Sequence, residues 1–198
     1  MKKLKSNLVN MTVVLTVISV IAGGVLAYVN QVTQGPIAAI NEQKLQDGIK
    51  QVILGTTDGE LNVEQPDTLD GGYVLYKTDK GTAVMAIENG FAGPISVLVG
   101  FDEQGAVKGY TILATSETPG LGVKADTWFQ KDGKGSIIGR NPGEKELVVS
   151  KDGGDVDAIT ASTITSRAFL KAVNNAYQVY KNNGQWTDTN SGASQKAH

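Results

Sequence analysis

The chain of 198 residues contains no cysteine. That excludes disulfides, thiolate nucleophiles, Cys-ligated zinc and iron–sulfur clusters held by this chain itself. Histidine occurs once, at His198, the last position, so serine–histidine triads and histidine metal sites have nothing to build on. Positive charge is no more abundant than negative: 18 Lys and Arg against 20 Asp and Glu give a formal net charge of −2. No basic field invites nucleic acid. With those reagents absent, any chemistry carried here is expected to belong to a bound organic cofactor.

What is present begins near the N-terminus. Lys2, Lys3 and Lys5 precede an uncharged run from Leu8 to Val29 dominated by Val, Ile and Leu. Each of those favours a bilayer centre by about 0.3–0.6 kcal/mol, which together outweighs the milder cost of the Thr, Ser, Gly and Asn among them. About twenty residues at a rise of about 1.5 Å also match a hydrocarbon core of about 30 Å. Residues 8–29 therefore read as a transmembrane helix. Residues 1–7 then stay cytoplasmic and everything after Tyr28 is sent across the membrane. The rival is a cleaved signal peptide with Val25-Leu26-Ala27 as its small-residue site, but the apolar run exceeds a usual h-region.

Residues 30–72 read as a juxtamembrane region. Gln31 to Pro36 has the composition of a short polar linker. Ile37, Ile40, Leu45, Ile49, Val52 and Ile53 then fall near helical spacing, with Glu42, Lys44, Gln46, Asp47 and Lys50 between them. Gly55 to Gly72 is a turn-rich connector.

Residues 73–181 read as one α+β domain built from antiparallel hairpins and packed helices. Tyr73–Thr78 and Thr82–Glu88 flank Asp79-Lys80-Gly81, and Ile95–Phe101 and Ala106–Leu113 flank Asp102-Glu103-Gln104-Gly105. Ile95-Ser96-Val97-Leu98-Val99 has the pattern of a strand buried on both faces. Gly90-Phe91-Ala92-Gly93-Pro94 joins the hairpins, either as an ordinary glycine turn or as a place where backbone approaches a ligand. In Glu117-Thr118-Pro119-Gly120-Leu121-Gly122 the Pro-Gly pair reads as the centre of a type II turn. A short helix is expected over Ala125–Gln130, a glycine-rich loop over Lys131–Lys145 and a last strand over Glu146–Ser150, before the turn Lys151-Asp152-Gly153-Gly154. Residues 182–198 form a polar, low-complexity tail expected to be mobile.

The most distinctive stretch is Asp157-Ala158-Ile159-Thr160-Ala161-Ser162-Thr163-Ile164-Thr165-Ser166-Arg167, in which five of eleven residues carry a hydroxyl. Phe169, Leu170, Val173, Ala176, Tyr177 and Tyr180 follow at amphipathic spacing, predicting a helix from about Thr165 to Lys181. Thr165 or Ser166 is the expected N-cap. A helix start of this kind favours phosphate. Two readings stay open at this level, an anion site or a hydroxyl-rich cap with nothing bound.

In this order, behind a single membrane helix, Gly93-Pro94-Ile95, the hairpins, the 117–122 stretch and Asp157-Ala158-Ile159-Thr160-Ala161-Ser162-Thr163 resemble the family of FMN-binding G subunits of Rnf electron-transport complexes. The C subunit of the sodium-pumping NADH:quinone reductase is a close relative of that family and the nearest alternative, though such subunits tend to be longer. The resemblance implies that Thr163 carries FMN through a phosphoester, installed by a separate flavin transferase with FAD as donor. Ala161 stands where Gly is commoner, limiting positive φ, and Ser162 stands where Ala is commoner, adding a second hydroxyl. Threonine at its free pKa is a poor nucleophile, so its activation is left to the transferase and its metal, and this chain is substrate rather than catalyst.

The same resemblance implies a phosphate beside the amides of Thr165 and Ser166 and a ring against the 117–122 loop. Glu117 and Thr118 are expected to hydrogen-bond near the flavin, Leu121 to cover one face, and Gly122, Ser162, Ile164 and Thr165 to complete the cofactor site. Trp128 either stacks on the ring or is a core aromatic. The implied role is an electron relay, not a complete enzyme, on the outer side of the cytoplasmic membrane. Its complex would exchange electrons between ferredoxin and NAD, coupled to Na+ or H+ transport. The implied partners are the other Rnf subunits, the transferase and the lipid bilayer. A membrane-tethered binding module without redox function is the alternative of another class.

Overall fold

The computed structural model describes residues 8–182. The N-terminal lysines and the tail beyond Asn182, with the orientation and mobility expected of them, lie outside the described residues. Helix α1 runs over Leu8–Leu54. Its first turns expose Leu8, Val14, Ile18, Ile21 and Leu26, and it is long and apolar enough to cross a membrane. The linker expected over Gln31–Pro36 is helical instead, with Pro36 inside α1. A proline removes one intrahelical donor, and the helix continues through it. The chain divides into two units between Gln43 and Lys44.

The second unit is built on an antiparallel meander. Strands β1 (Asp67–Thr68), β2 (Val74–Thr78), β3 (Gly81–Asn89), β4 (Pro94–Phe101) and β5 (Val107–Thr115) lie side by side in chain order. Side chains alternate along each strand, as the period of two requires. Leu75, Val84, Ala86, Val97 and Val99 belong to one core, and Tyr76, Ala83 and Leu98 to another. As expected, β4 is buried on both faces. The first core is closed by α3 (Thr163–Lys181), through Phe169, Val173 and Ala176, and the second by Ile49, Val52 and Ile53 from the end of α1. Phe169 stacks on Phe129 with ring centroids 4.4 Å apart and meets Tyr110 edge-on at 4.8 Å. The Tyr110 hydroxyl donates to the Ala125 carbonyl at 2.6 Å, and burial pushes its pKa well above the usual phenol range.

Gly100 and Gly109 face each other in the β4–β5 register, under the end of α1. A Cβ on Gly100 would come within 2.5 Å of the Val52 carbonyl oxygen. That neighbour is backbone and has no rotamer to change. Gly100→Val is therefore expected to lower stability by about 3 kcal/mol, read from urea unfolding of the detergent-solubilised chain.

Two local expectations are corrected. The connector after α1 contains β1, and Asp70–Gly72 forms a 3-10 turn. Glu146–Ser150 is not a strand but forms one isolated bridge, Val149 to Val156. Its backbone is claimed by a side chain: Leu147 N–H donates to Asn174 Oδ1 at 3.1 Å, and Asn174 Nδ2 donates to the Leu147 carbonyl at 2.9 Å. The short helix after the 117–122 loop, α2 (Ala125–Trp128), follows directly on a 3-10 turn at Gly122–Lys124.

Candidate functional site

Three chain segments converge at one end of the sheet: the turn between β3 and β4, the loop after β5 and the start of α3. The first closes through Gly90 N–H to the Gly93 carbonyl at 2.8 Å. The second closes through Leu121 N–H to the Thr118 carbonyl at 3.1 Å, with Gly120 at φ 77°, as the third position of a type II turn requires.

Glu117 fastens all three. It is only 5% exposed. Its Oε1 accepts from the Phe91 amide at 2.6 Å and the Ala92 amide at 3.4 Å, while Oε2 accepts from the Thr165 hydroxyl at 3.0 Å. A Cβ on either Gly90 or Gly122 would strike this carboxylate, so neither position has room for a side chain. Gly90–Gly93 is thus a close backbone approach, but to a protein carboxylate.

The start of α3 lies two residues before the expected position, with Ser162 as N-cap residue and no cap bond from its side chain. The hydroxyls of the expected caps are used elsewhere. Thr165 donates to Glu117. Ser166 Oγ accepts from Ile159 N–H at 2.9 Å and donates to the Ser162 carbonyl at 2.9 Å. The Ser166 amide itself donates to the Ser162 carbonyl at 3.0 Å, so the free amides of the first turn are those of Thr163 to Thr165. Ala161 takes φ 62°, the one positive φ outside glycine among the described residues, at a cost of about 1 kcal/mol. Ser166→Ala is expected to cost about 1–3 kcal/mol, because it orphans the buried Ile159 amide; a thermal melt of the variant measures it.

Between these walls lies a cavity of about 320 Å³. Glu117, Thr118, Leu121, Gly122, Ser162, Thr163, Ile164 and Thr165, the residues named from the sequence, all line it, joined by Phe91 and Ala161. Phe91, Leu121 and Ile164 are exposed at its edge. Trp128 is not among the lining residues: it packs against the core and its Nε1 donates to the Asp157 carbonyl at 2.7 Å.

Two neighbours of the site are not among the residues expected from the sequence. Phe91 carries a legible signal, a bulky aromatic inside a turn of small residues. Lys151 carries none, since a lysine in a Lys-Asp-Gly-Gly turn looks like solvent-facing charge. Its Nζ donates to Thr163 Oγ1 at 3.2 Å. The 3-10 turn Ser150–Asp152 that bears it is tied to α3 by Arg167, whose Nε and Nη2 donate to the two oxygens of Asp152 at 2.6 and 2.7 Å. The Arg167 guanidinium holds the Asp152 carboxyl below its usual range. The tie therefore persists at neutral pH and is lost only as pH falls below the ordinary carboxylate range.

Residues 90–178 match the FMN-binding domain family. The chain is 34% identical over 199 residues to the G subunit of the ion-translocating oxidoreductase complex of Shewanella baltica (strain OS223), covering 91% of this chain and 92% of the relative. It is 33% identical over 195 residues to the G subunit of the Na(+)-translocating ferredoxin:NAD(+) oxidoreductase complex of Acetobacterium woodii, covering 85% and 89%. Against the G subunit of the ion-translocating oxidoreductase complex of Aliivibrio fischeri (strain ATCC 700601 / ES114) it is 32% identical over 186 residues, covering 86% and 89%.

Proposed function

The chain belongs to the family of G subunits of ion-translocating oxidoreductase complexes, and from that premise we propose that it relays electrons through an FMN esterified by its phosphate to Thr163. The observation that carries this reading is the position of the Thr163 hydroxyl, at the wall of the cavity and in the first turn of a 19-residue helix. The residues suit the group. The first-turn amides of α3 favour a phosphate. Phe91, Leu121 and Ile164 offer apolar surface to a flat ring. Glu117, the one carboxylate in the lining, already accepts from protein donors through both oxygens.

When bound, FMN supplies a ring that takes up and gives back electrons. The chain's own part is to hold it. Thr163 tethers it, the Thr118–Leu121 turn and Phe91 flank it, and the open edge leaves a route for electron exchange with partners. Nothing in residues 8–182 offers a Cys or His base to activate Thr163, so the reading assigns that task to a flavin transferase.

Membership of the family supports a wider role. In this reading residues 8–29 span the cytoplasmic membrane once, residues 1–7 remain inside, and the FMN domain stands on the outer face beside the other Rnf subunits. The complex exchanges electrons between ferredoxin and NAD and moves Na+ or H+, the sodium case being the one in the name of the Acetobacterium relative. Near full-length similarity to G subunits supports this over the C subunit of the NADH:quinone reductase. Intact mass and peptide mapping of chain co-expressed with a flavin transferase test the proposal. The fragment covering 152–167 is expected to gain the mass of FMN less one water, and a bare fragment in cells able to modify it overturns the reading.

A further inference from the structure

We propose that Lys151 is the phosphate-binding cation of this site, meeting the phosphorus group as it is joined to Thr163 and pairing with the phosphodiester afterwards. The inference rests on the proposed ester at Thr163 and goes beyond it by assigning a residue outside the hydroxyl-rich motif.

Charge and placement carry it. Arg140, Lys145, Arg167 and Lys171 each hold a carboxylate. Lys151 forms no salt bridge among the described residues, and its hydrogen bond goes to a neutral hydroxyl, that of Thr163. Asp152, the adjacent carboxylate, is occupied at both oxygens by Arg167. The lysine charge is thereby left facing Thr163. Its position is also fixed. Asp152 N–H donates to the Val149 carbonyl at 2.9 Å, Gly153 N–H donates to the Ser150 carbonyl at 3.2 Å, and the Arg167 bridge holds this turn against α3. Among the described residues no cation lines the cavity itself. A phosphodiester at Thr163 would find partial charges at the helix start and one full positive charge, on Lys151.

In the modification step the Thr163 oxygen bonds to the flavin-side phosphorus of a flavin dinucleotide. The bond from that phosphorus to the bridging oxygen breaks, and adenylate leaves with the electron pair. The threonine proton passes to a base of the transferring enzyme. Nothing is oxidised or reduced. Lys151 takes no part in that proton transfer and faces the non-bridging oxygens, which makes it a positioning residue rather than the base.

The test uses the full chain in detergent, a purified flavin transferase and FAD, with the rate of flavin addition followed by intact mass. Lys151→Met is expected to slow addition at least tenfold, and Lys151→Arg to restore most of the rate. Neither is expected to shift the thermal melt, because the side chain is exposed. On flavin-loaded protein the 31P signal of the phosphodiester is expected to lie at a different chemical shift in the Met variant than in the wild type, and in the Arg variant to return most of the way. Wild-type addition rates in the Met variant, or a 31P shift indifferent to the substitution, overturn the role of Lys151 while leaving the ester at Thr163 standing. A wild-type chain that never gains flavin at Thr163 overturns both.

Discussion

Thr163→Ala is expected to remove all flavin that survives denaturation, taking covalent occupancy from the wild-type level to none while the domain stays folded. The fold is expected to persist because Thr163 is half-buried at the helix start and the hydrogen bond to its hydroxyl comes from the exposed Lys151. Substitutions away from buried partners typically change stability by about 0.5 kcal/mol or less. Thr163→Ser keeps the oxygen and is expected to keep the flavin. Fluorescence of the denatured band and the mass of the intact chain read both variants.

The neighbouring hydroxyls are equivalent on paper, and the fold separates them. Thr165 is 1% exposed and its hydroxyl is committed to Glu117, so attachment there would first have to break the frame of the site. Ser162 is nearly as buried, at 8%. Thr160 is exposed but is absent from the cavity lining. Flavin retained by the Ala variant would move the attachment to Thr160 or Ser162 and defeat the assignment of Thr163.

The hairpins and the helix of residues 163–181 are legible in the sequence because period-two and amphipathic patterns are local. So is the type II turn at Pro119-Gly120. What the chain order hides is where a polar side chain spends its hydrogen bonds. Thr165 and Ser166 look like ideal caps until Glu117, 48 residues away from Thr165, and the Ile159 amide claim them. Asn174 dissolves the strand expected at 146–150 by the same means. Glu117 itself resembles a free cofactor acceptor, since a carboxylate at a strand end beside a glycine turn offers no sign that two amides and a hydroxyl will saturate it. Lys151 becomes visible only when the fold brings residues 151 and 163 within hydrogen-bond distance.

Glu117→Ala is expected to have the largest effect on stability, about 3–5 kcal/mol, together with loss of flavin addition at Thr163. From the loop after β5 the carboxylate accepts three hydrogen bonds from the two other segments, two of them from backbone amides that have no rotamer with which to seek another partner. A hydrogen bond to a charged group contributes about 1.5–3 kcal/mol, and the buried Thr165 hydroxyl left unsatisfied adds its own desolvation cost. The Ala variant also opens a void between Gly90 and Gly122, whose bare backbones fit only against this side chain. Glu117→Gln separates hydrogen bonding from charge. Its carbonyl oxygen can serve the Phe91 and Ala92 amides, and its NH2 can donate to Thr165 Oγ1 once that hydroxyl turns to accept. It is expected to lose no more than about 1.5 kcal/mol and to accept flavin. Urea unfolding and the mass of the modified chain measure both variants. If Ala is tolerated as well as Gln, the three walls are held by other contacts, and Glu117 does not frame the site.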